Sequence, residues 1–206
     1  MVKVHYFFDP MCGWCYGASS LIKTLAEMPG FEMTYHPGGM IPKRAIDPSF
    51  RQHILQADSQ IATMTKAKFG EVYKARVASS GEFVIDSYLP TQAFMVGIEM
   101  GIEPHVMLKA IQLAHYQDGK ALDKPEALKA LAVSLGLDEA TWTEKMAGAE
   151  PAMMKVIEDS QTLMDQLQVN GFPTLIMEKD GQLIRLPHST YYGKPIEWKA
   201  HLTSLI

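Results

Sequence analysis

The sequence predicts a mixed α/β fold in which a helical block interrupts a unit that contains strands. Three observations carry this prediction. Residues 1–46 read as strand, helix, strand. Residues 149–206 read as helix, two strands, helix. Between them, residues 47–148 show helical periods only. The expected architecture is therefore βαβ…αββα, with residues 1–46 and 149–206 forming one domain and residues 47–148 an inserted helical domain.

"VKVHYFF" (Val2 to Phe8) is β-branched and aromatic, and short enough for a buried strand; Asp9 and Pro10 end it. "ASSLIKTLAEM" carries Leu21, Leu25 and Met28 at helical spacing before the Pro29-Gly30 stop. "FEMTYH" alternates as a half-buried strand does, and "PGGMIP" is a loop whose Gly38-Gly39 pair would permit close backbone approach. In the helical block, Phe69, Val72, Tyr73 and Arg76 share one face, and Leu108, Ile111 and His115 another. Leu128, Leu131, Ala132 and Leu135 form a stripe, with Asp123 and Glu126 as a capping box and Gly136 as the stop. Residues 151–168 form an amphipathic helix with Met153, Ile157, Met164 and Leu167 inward. "PTLIME" and "QLIRLP" are strands joined by a turn at Lys179-Asp180-Gly181. "PIEWKAHLTSLI" closes the chain as a helix with Ile196, Ala200 and Leu205 on its core side.

Composition excludes several function classes. A net charge of -4, with acids and bases interspersed, gives no basic stripe for nucleic acid and no polybasic membrane segment. No apolar run approaches the ~20 residues of a membrane span. Met1 leads directly into "VKVHYFF" without a basic n-region or a cleavage site. The expected location is the cytoplasm, where thiols are kept reduced and disulfides are transient and catalytic.

Against that background the two cysteines stand out. The chain has only Cys12 and Cys15, within "FFDPMCGWCYG", between a strand and a helix. Such a position puts the first sulfur at a helix N-terminus, where free N–H groups and the macrodipole favour a thiolate. In motifs of this kind the cysteine pKa falls to roughly 3.5–7.5. Cys12 is then the attacking nucleophile and Cys15 the resolving thiol: Cys12 forms a mixed disulfide, and Cys15 releases it. A metal centre and an inert pair compete with this redox couple. A metal site needs two more ligands, and none of the seven histidines shows paired metal spacing. Two inert core cysteines are the plainer alternative, because free cysteine is commonly buried.

"DPMCGWCYG" resembles the active-site signature of the DsbA-like thioredoxin-fold family, nearest to its cytosolic FrnE-type and protein-disulfide isomerase branch. "VNGFPTLI" (Val169 to Ile176) is similar to the family loop that carries a cis-proline before a strand, and "AHYQDGKALDKPEAL" to part of its inserted helical domain. The resemblance implies a thioredoxin fold split by a helical insertion. It also implies a cis bond at Pro173 that turns the Phe172 backbone toward the cysteines, ready to pair with an extended substrate. Two departures stand out. The family's buried acid, six residues before the first cysteine, is replaced by Tyr6, a phenol with pKa near 10 and a poor proton acceptor. Asp9 is the nearest substitute for proton transfer, and equally suits a helix cap. Trp14 stands where DsbA has a histidine, which implies a less oxidising couple.

The expected substrate-binding residues are Trp14, Phe172 and Pro173, with Met11 and Met40 in a groove beside the cysteines. Tyr88, Thr91 and Tyr116 are assigned to packing between the units, and His115 to a helix core. The expected function is a thiol–disulfide oxidoreductase or isomerase without a bound cofactor. Its partners would be thiol or disulfide proteins, or glutathione. Two alternatives remain open: a glutathione-dependent transferase or isomerase, similar to the kappa-class transferases and 2-hydroxychromene-2-carboxylate isomerases, and a non-enzymatic peptide-binding module. Oligomeric state and direction of electron flow are not specified by the sequence.

Overall fold

A computed structural model describes residues 1–206. Strand β1 (Val2–Phe8) leads into a short helix α1 (Gly13–Gly17) and then α2 (Ser19–Ala26), which brings the chain to β2 (Phe31–Pro37). Two strands near the C-terminus, β5 (Thr174–Lys179) and β6 (Gln182–Arg185), complete a four-stranded sheet in the order β2-β1-β5-β6. β1 runs parallel to β2 and antiparallel to β5, with Tyr6 opposite Leu175 and Phe7 opposite Thr174. Asp180 and Gly181 both take positive φ at the β5–β6 turn, as a two-residue hairpin requires.

Strand alternation divides the core. Val4, Tyr6 and Phe8 point to the face covered by α1 and α2. Phe7 and Ile176 point to the other face, against Val169 and the partly buried Leu163 and Met164. Those last two belong to α9 (Glu150–Gln166), whose Met153 and Ile157 are also buried. The first core is continuous with the helical block: it takes in Tyr73, Ile111, Leu128 and Trp142 as well as the strand residues. The block contains α3 (Pro48–Thr65), α4 (Glu71–Ala78), α5 (Tyr88–Glu99), α6 (Pro104–Tyr116), α7 (Pro125–Ser134) and α8 (Glu139–Gly148). A short 3-10 turn (His188–Tyr191) and α10 (Pro195–Thr203) end the chain. No helix is long and apolar enough to cross a membrane.

Four expectations need correction. The block is not purely helical: β4 (Val84–Ile85) pairs antiparallel with β3 (Arg44–Ala45). Two-residue strands leave no period to read. Asp123 does not cap α7. Pro125 takes the first helical position, where no N–H exists to be capped, and Lys124 precedes it. Asp123 is buried instead, with Lys43 and Lys124 ammonium groups 3.7 and 3.3 Å from its Oδ2. In α4, Val72 is exposed while Tyr73 and Val77 are buried one turn apart. In α10, Trp198 and Leu202 face the core, while Ile196 is 82% exposed and Ala200 is exposed. The Trp198 indole sets that face, because its Nε1–H donates to Leu21 O at 3.0 Å.

The helical block packs directly on α1. A Cβ added to Gly17 would lie 2.7 Å from Ile61 Cγ2 and 2.9 Å from Thr65 Cγ2. Both belong to the buried face of α3. Gly17→Ala is therefore expected to cost ~1–3 kcal/mol of stability through overpacking. Gly148→Ala, where a Cβ meets nothing within 4 Å, should be neutral or stabilising by up to ~1 kcal/mol. Urea unfolding of the two variants checks this; equal effects would contradict the close approach of α3.

Candidate active site

The end of β1 and the start of α1 bring the cysteines together because Asp9 and Pro10 stop the strand and Cys12 becomes the helix N-cap. The Cys15 N–H donates to Cys12 Sγ at 3.4 Å, so the first sulfur occupies the open end of α1. Cys12 is 6% exposed and Cys15 fully enclosed. Burial pushes Cys15 well above the ordinary thiol range; the Cys12 thiol and the Asp9 charge add to this, while a hydrogen bond from the Asp9 backbone works against it. Cys12 keeps a small exposed area while Cys15 is wholly enclosed and held protonated, which divides the pair into an outer and an inner thiol.

The Phe172–Pro173 peptide is cis. Phe172 O lies 3.6 Å from Cys12 Sγ and accepts from its S–H. The Phe172 ring rests on Gly38: a Cβ there would stand 2.0 Å from its Cζ. The two glycines of the loop thus admit a side chain of the protein itself. Trp14 is half-buried and stacks on Tyr192, with ring centroids 5.7 Å apart.

Asp9 does not cap α1. It is fully buried, and its Oδ1 accepts from Met11 N–H (2.9 Å) and the Ser87 hydroxyl (2.7 Å), its Oδ2 from Met40 N–H (2.7 Å). Burial outweighs these donors and raises its pKa to about 6. The Met11 side chain does not line a groove: it is packed in the core, and its carbonyl accepts from Tyr116 O–H at 2.7 Å. A residue flanked by a buried turn on one side and the helix cap on the other has no outward direction left. Met40 is 39% exposed beside the site.

Several residues at the site were not singled out by the sequence. Asp58 is buried on α3, accepts from Tyr73 O–H at 2.7 Å, and places Oδ1 within 3.2 Å of where a Cβ on Gly13 would stand. Burial lifts its pKa to about 6. Its signal is an acid in register with Ile61 and Thr65 on one helical stripe. Ser87 and Tyr192 carry no such signal, because each reaches the site from a distant loop. Tyr116, read as packing, does pack, but against the turn that bears the cysteines. His115 is a buried core residue.

Two results are expected from this geometry. Gly38→Ala should displace the Phe172 ring and slow Cys12 chemistry at least ~10-fold with little change in overall fold; unchanged rates with a disulfide probe would mean that Phe172 position is immaterial. For Asp9, a folded pKa above the ordinary ~3.9 means that stability present at low pH is lost as pH rises through about 6. The difference in unfolding free energy between wild type and Asp9→Asn should accordingly move in the variant's favour by ~2–3 kcal/mol between pH 4 and 7. A pH-independent difference would mean an ordinary carboxylate. Histidine contributions are common to both proteins and cancel.

Solved structures share this fold. No curated protein sequence matches the chain. Among solved structures, the cytosolic disulfide reductase DsbM from Pseudomonas aeruginosa is 33% identical, with 98% of each chain covered and a TM-score of 0.90. Its structure with GSH gives 32% identity, the same coverage and a TM-score of 0.89. A protein from Nitrosomonas europaea, provisionally named a protein disulfide isomerase, is 24% identical over 99% of this chain and 96% of its own, with a TM-score of 0.76. A 2-hydroxychromene-2-carboxylate isomerase shares the fold at 14% identity and a TM-score of 0.60, over 98% and 95% of the two chains. A model of the DSBA-like thioredoxin domain matches residues 3–189, so it spans the cysteine turn, the whole helical block and the Phe172–Pro173 loop. A thioredoxin-type sheet, a helical insertion within it and a Cys-x-x-Cys turn facing a cis-proline thus come together in one chain, which belongs to the DSBA-like thioredoxin domain family.

Proposed function

We propose that this protein is a thiol–disulfide oxidoreductase that works through Cys12 and Cys15 in the reducing direction, in the cytoplasm. The observation that carries this reading is the pairing of an outer, nearly buried sulfur at a helix N-cap, beside the cis-proline loop, with a fully enclosed one a single turn on. Cys12 thiolate attacks a substrate disulfide, forming a mixed disulfide and releasing one thiolate. Cys15 then loses its proton and attacks Cys12 Sγ; the second substrate sulfur leaves with the electron pair and takes up a proton. The substrate gains two electrons and the protein becomes the Cys12–Cys15 disulfide. Two molecules of a thiol such as glutathione return the two electrons and leave joined as their own disulfide, so the dithiol needs no resident cofactor.

Asp9 is the proton acceptor for Cys15 in this scheme. Its carboxyl acts electrostatically on that thiol, and a pKa of about 6 lets it accept and release a proton near neutral pH. Phe172 O, close to Cys12, offers main-chain pairing to an extended substrate, with Trp14 and Met40 at the rim. Five cavities of about 280–690 Å³ lie elsewhere on the molecule and are lined by neither cysteine. That favours a substrate lying across the surface over a small molecule held in a deep pocket. The reducing direction and the cytoplasm are favoured by the 33% identical neighbour, which is named a cytosolic disulfide reductase.

The test is a trapping experiment. Cys15→Ser should accumulate a mixed disulfide on Cys12, visible by mass spectrometry, with glutathione disulfide or a disulfide-bonded peptide. Cys12→Ser should lose all turnover. Turnover or transferase activity that survives Cys12→Ser would sink the dithiol reading, and peptide affinity without any turnover in wild type would point to a binding module.

A further inference from the structure

Tyr6 presents an unexplained group. It is fully buried on β1, on the sheet face that carries the cysteine helix, and its hydroxyl has no well-formed hydrogen bond in the dithiol form, Cys15 being the one side chain that stands as a candidate partner. An enclosed hydroxyl without a partner costs ~1–3 kcal/mol, and such orphans are rare enough to call for a reason. Packing alone does not supply one, because phenylalanine would keep the ring contacts with Phe8 and Tyr35. The register places Tyr6 opposite Leu175, two residues beyond Pro173, and its side chain belongs to the same buried cluster as Cys12 and Cys15. After burial itself, Cys15 and then Cys12 are the groups that bear most on its ionisation.

We infer that the Tyr6 hydroxyl is the hydrogen-bond donor that receives the Cys15 thiolate during the resolving step. This rests on the dithiol reading given above and deepens it. Cys15 is neutral and sheltered at rest, so a donor aimed at it has nothing charged to bind. When the Cys15 proton passes to Asp9, negative charge appears on a sulfur cut off from water. A phenol kept protonated by burial is suited to meet that charge, since it donates without giving up its proton. The sulfur then attacks Cys12 Sγ, the bond from Cys12 to the substrate sulfur breaks, and the substrate thiolate leaves with the electron pair. The Cys12–Cys15 bond forms, the cysteines are oxidised, and the Tyr6 hydroxyl is again without a partner. The other titratable groups facing the pair are Cys12 and Asp9 from the turn, Tyr35 on β2, Tyr116 on α6 and Tyr192 beyond the 3-10 turn. Burial raises the three phenols above their ordinary range. Among the two carboxylates near the site, Asp58 and Asp9, only Asp9 acts directly on Cys15.

The experiment is stopped-flow reaction of the fully reduced protein with dithiobis(nitrobenzoate). Cys12 attack releases the first coloured thiolate and Cys15 resolution the second. Tyr6→Phe should leave the first phase unchanged and slow the second about tenfold at pH 7, with its pH midpoint raised by about one unit, which is the same ~1.4 kcal/mol. Wild-type rates in both phases of Tyr6→Phe would overturn the inference. So would equal slowing of both phases, or a variant that fails to fold, since either assigns the hydroxyl to packing. A wild-type protein that releases a single equivalent would instead remove the dithiol reading itself, whatever Tyr6 does.

Discussion

Three segments far apart in sequence converge on the Asp9 carboxylate: the cysteine turn through Met11 N–H, the loop after β2 through Met40 N–H, and the start of α5 through the Ser87 hydroxyl. Everything else at the site depends on this convergence. The turn fixes where Cys12 caps α1, and the loop carries Gly38, on which the Phe172 ring rests. A charge enclosed this completely is tolerable only when several donors meet it, and even then burial keeps its pKa high. The same carboxylate thus ties the inserted helices to the sheet and supplies a group that changes protonation near neutral pH.

Most of the scaffold was legible because its signals are local. A β-branched run ended by Asp9-Pro10, glycine stops at Gly30 and Gly136 and a turn at Asp180-Gly181 each act within a few residues. The cysteine pair was legible for the same reason. What could not be read depends on distant chain segments. Whether Asp9 caps its own helix or accepts from Ser87, 78 positions away, is decided by tertiary packing alone. The Met11 side chain, expected in a groove, is enclosed for that reason too. α10 is instructive in a different way: a stripe chosen from Ile196 and Ala200 ignored Trp198, whose large ring and single N–H needed an interior partner and took Leu21 O.

The departure at Tyr6 has a physical rationale within this arrangement. A buried acid next to a buried thiol must shuttle protons from an enclosed place. In the proposed scheme the two tasks are divided: Asp9, held by three donors, titrates, and burial keeps Tyr6 protonated throughout. Division of labour of this kind separates the pH response of the couple from the stabilisation of its charged intermediate. Trp14, uncharged and stacked on Tyr192, contributes no electrostatic bias to the first sulfur.

The helical block is braced against the cysteine turn on two sides. Ile61 and Thr65 of α3 abut Gly13 and Gly17, and Tyr116 of α6 holds the Met11 carbonyl. A lid that swung away would have to unpack these contacts, so the block acts as a fixed wall. Approach to Cys12 is left from the side of Phe172 and Trp14. A disulfide locked inside a rigid domain cannot present itself along that line. Under the proposed activity, frayed termini, exposed loops and short disulfide-bonded peptides can, so selection among targets would fall to their local flexibility rather than to their overall shape.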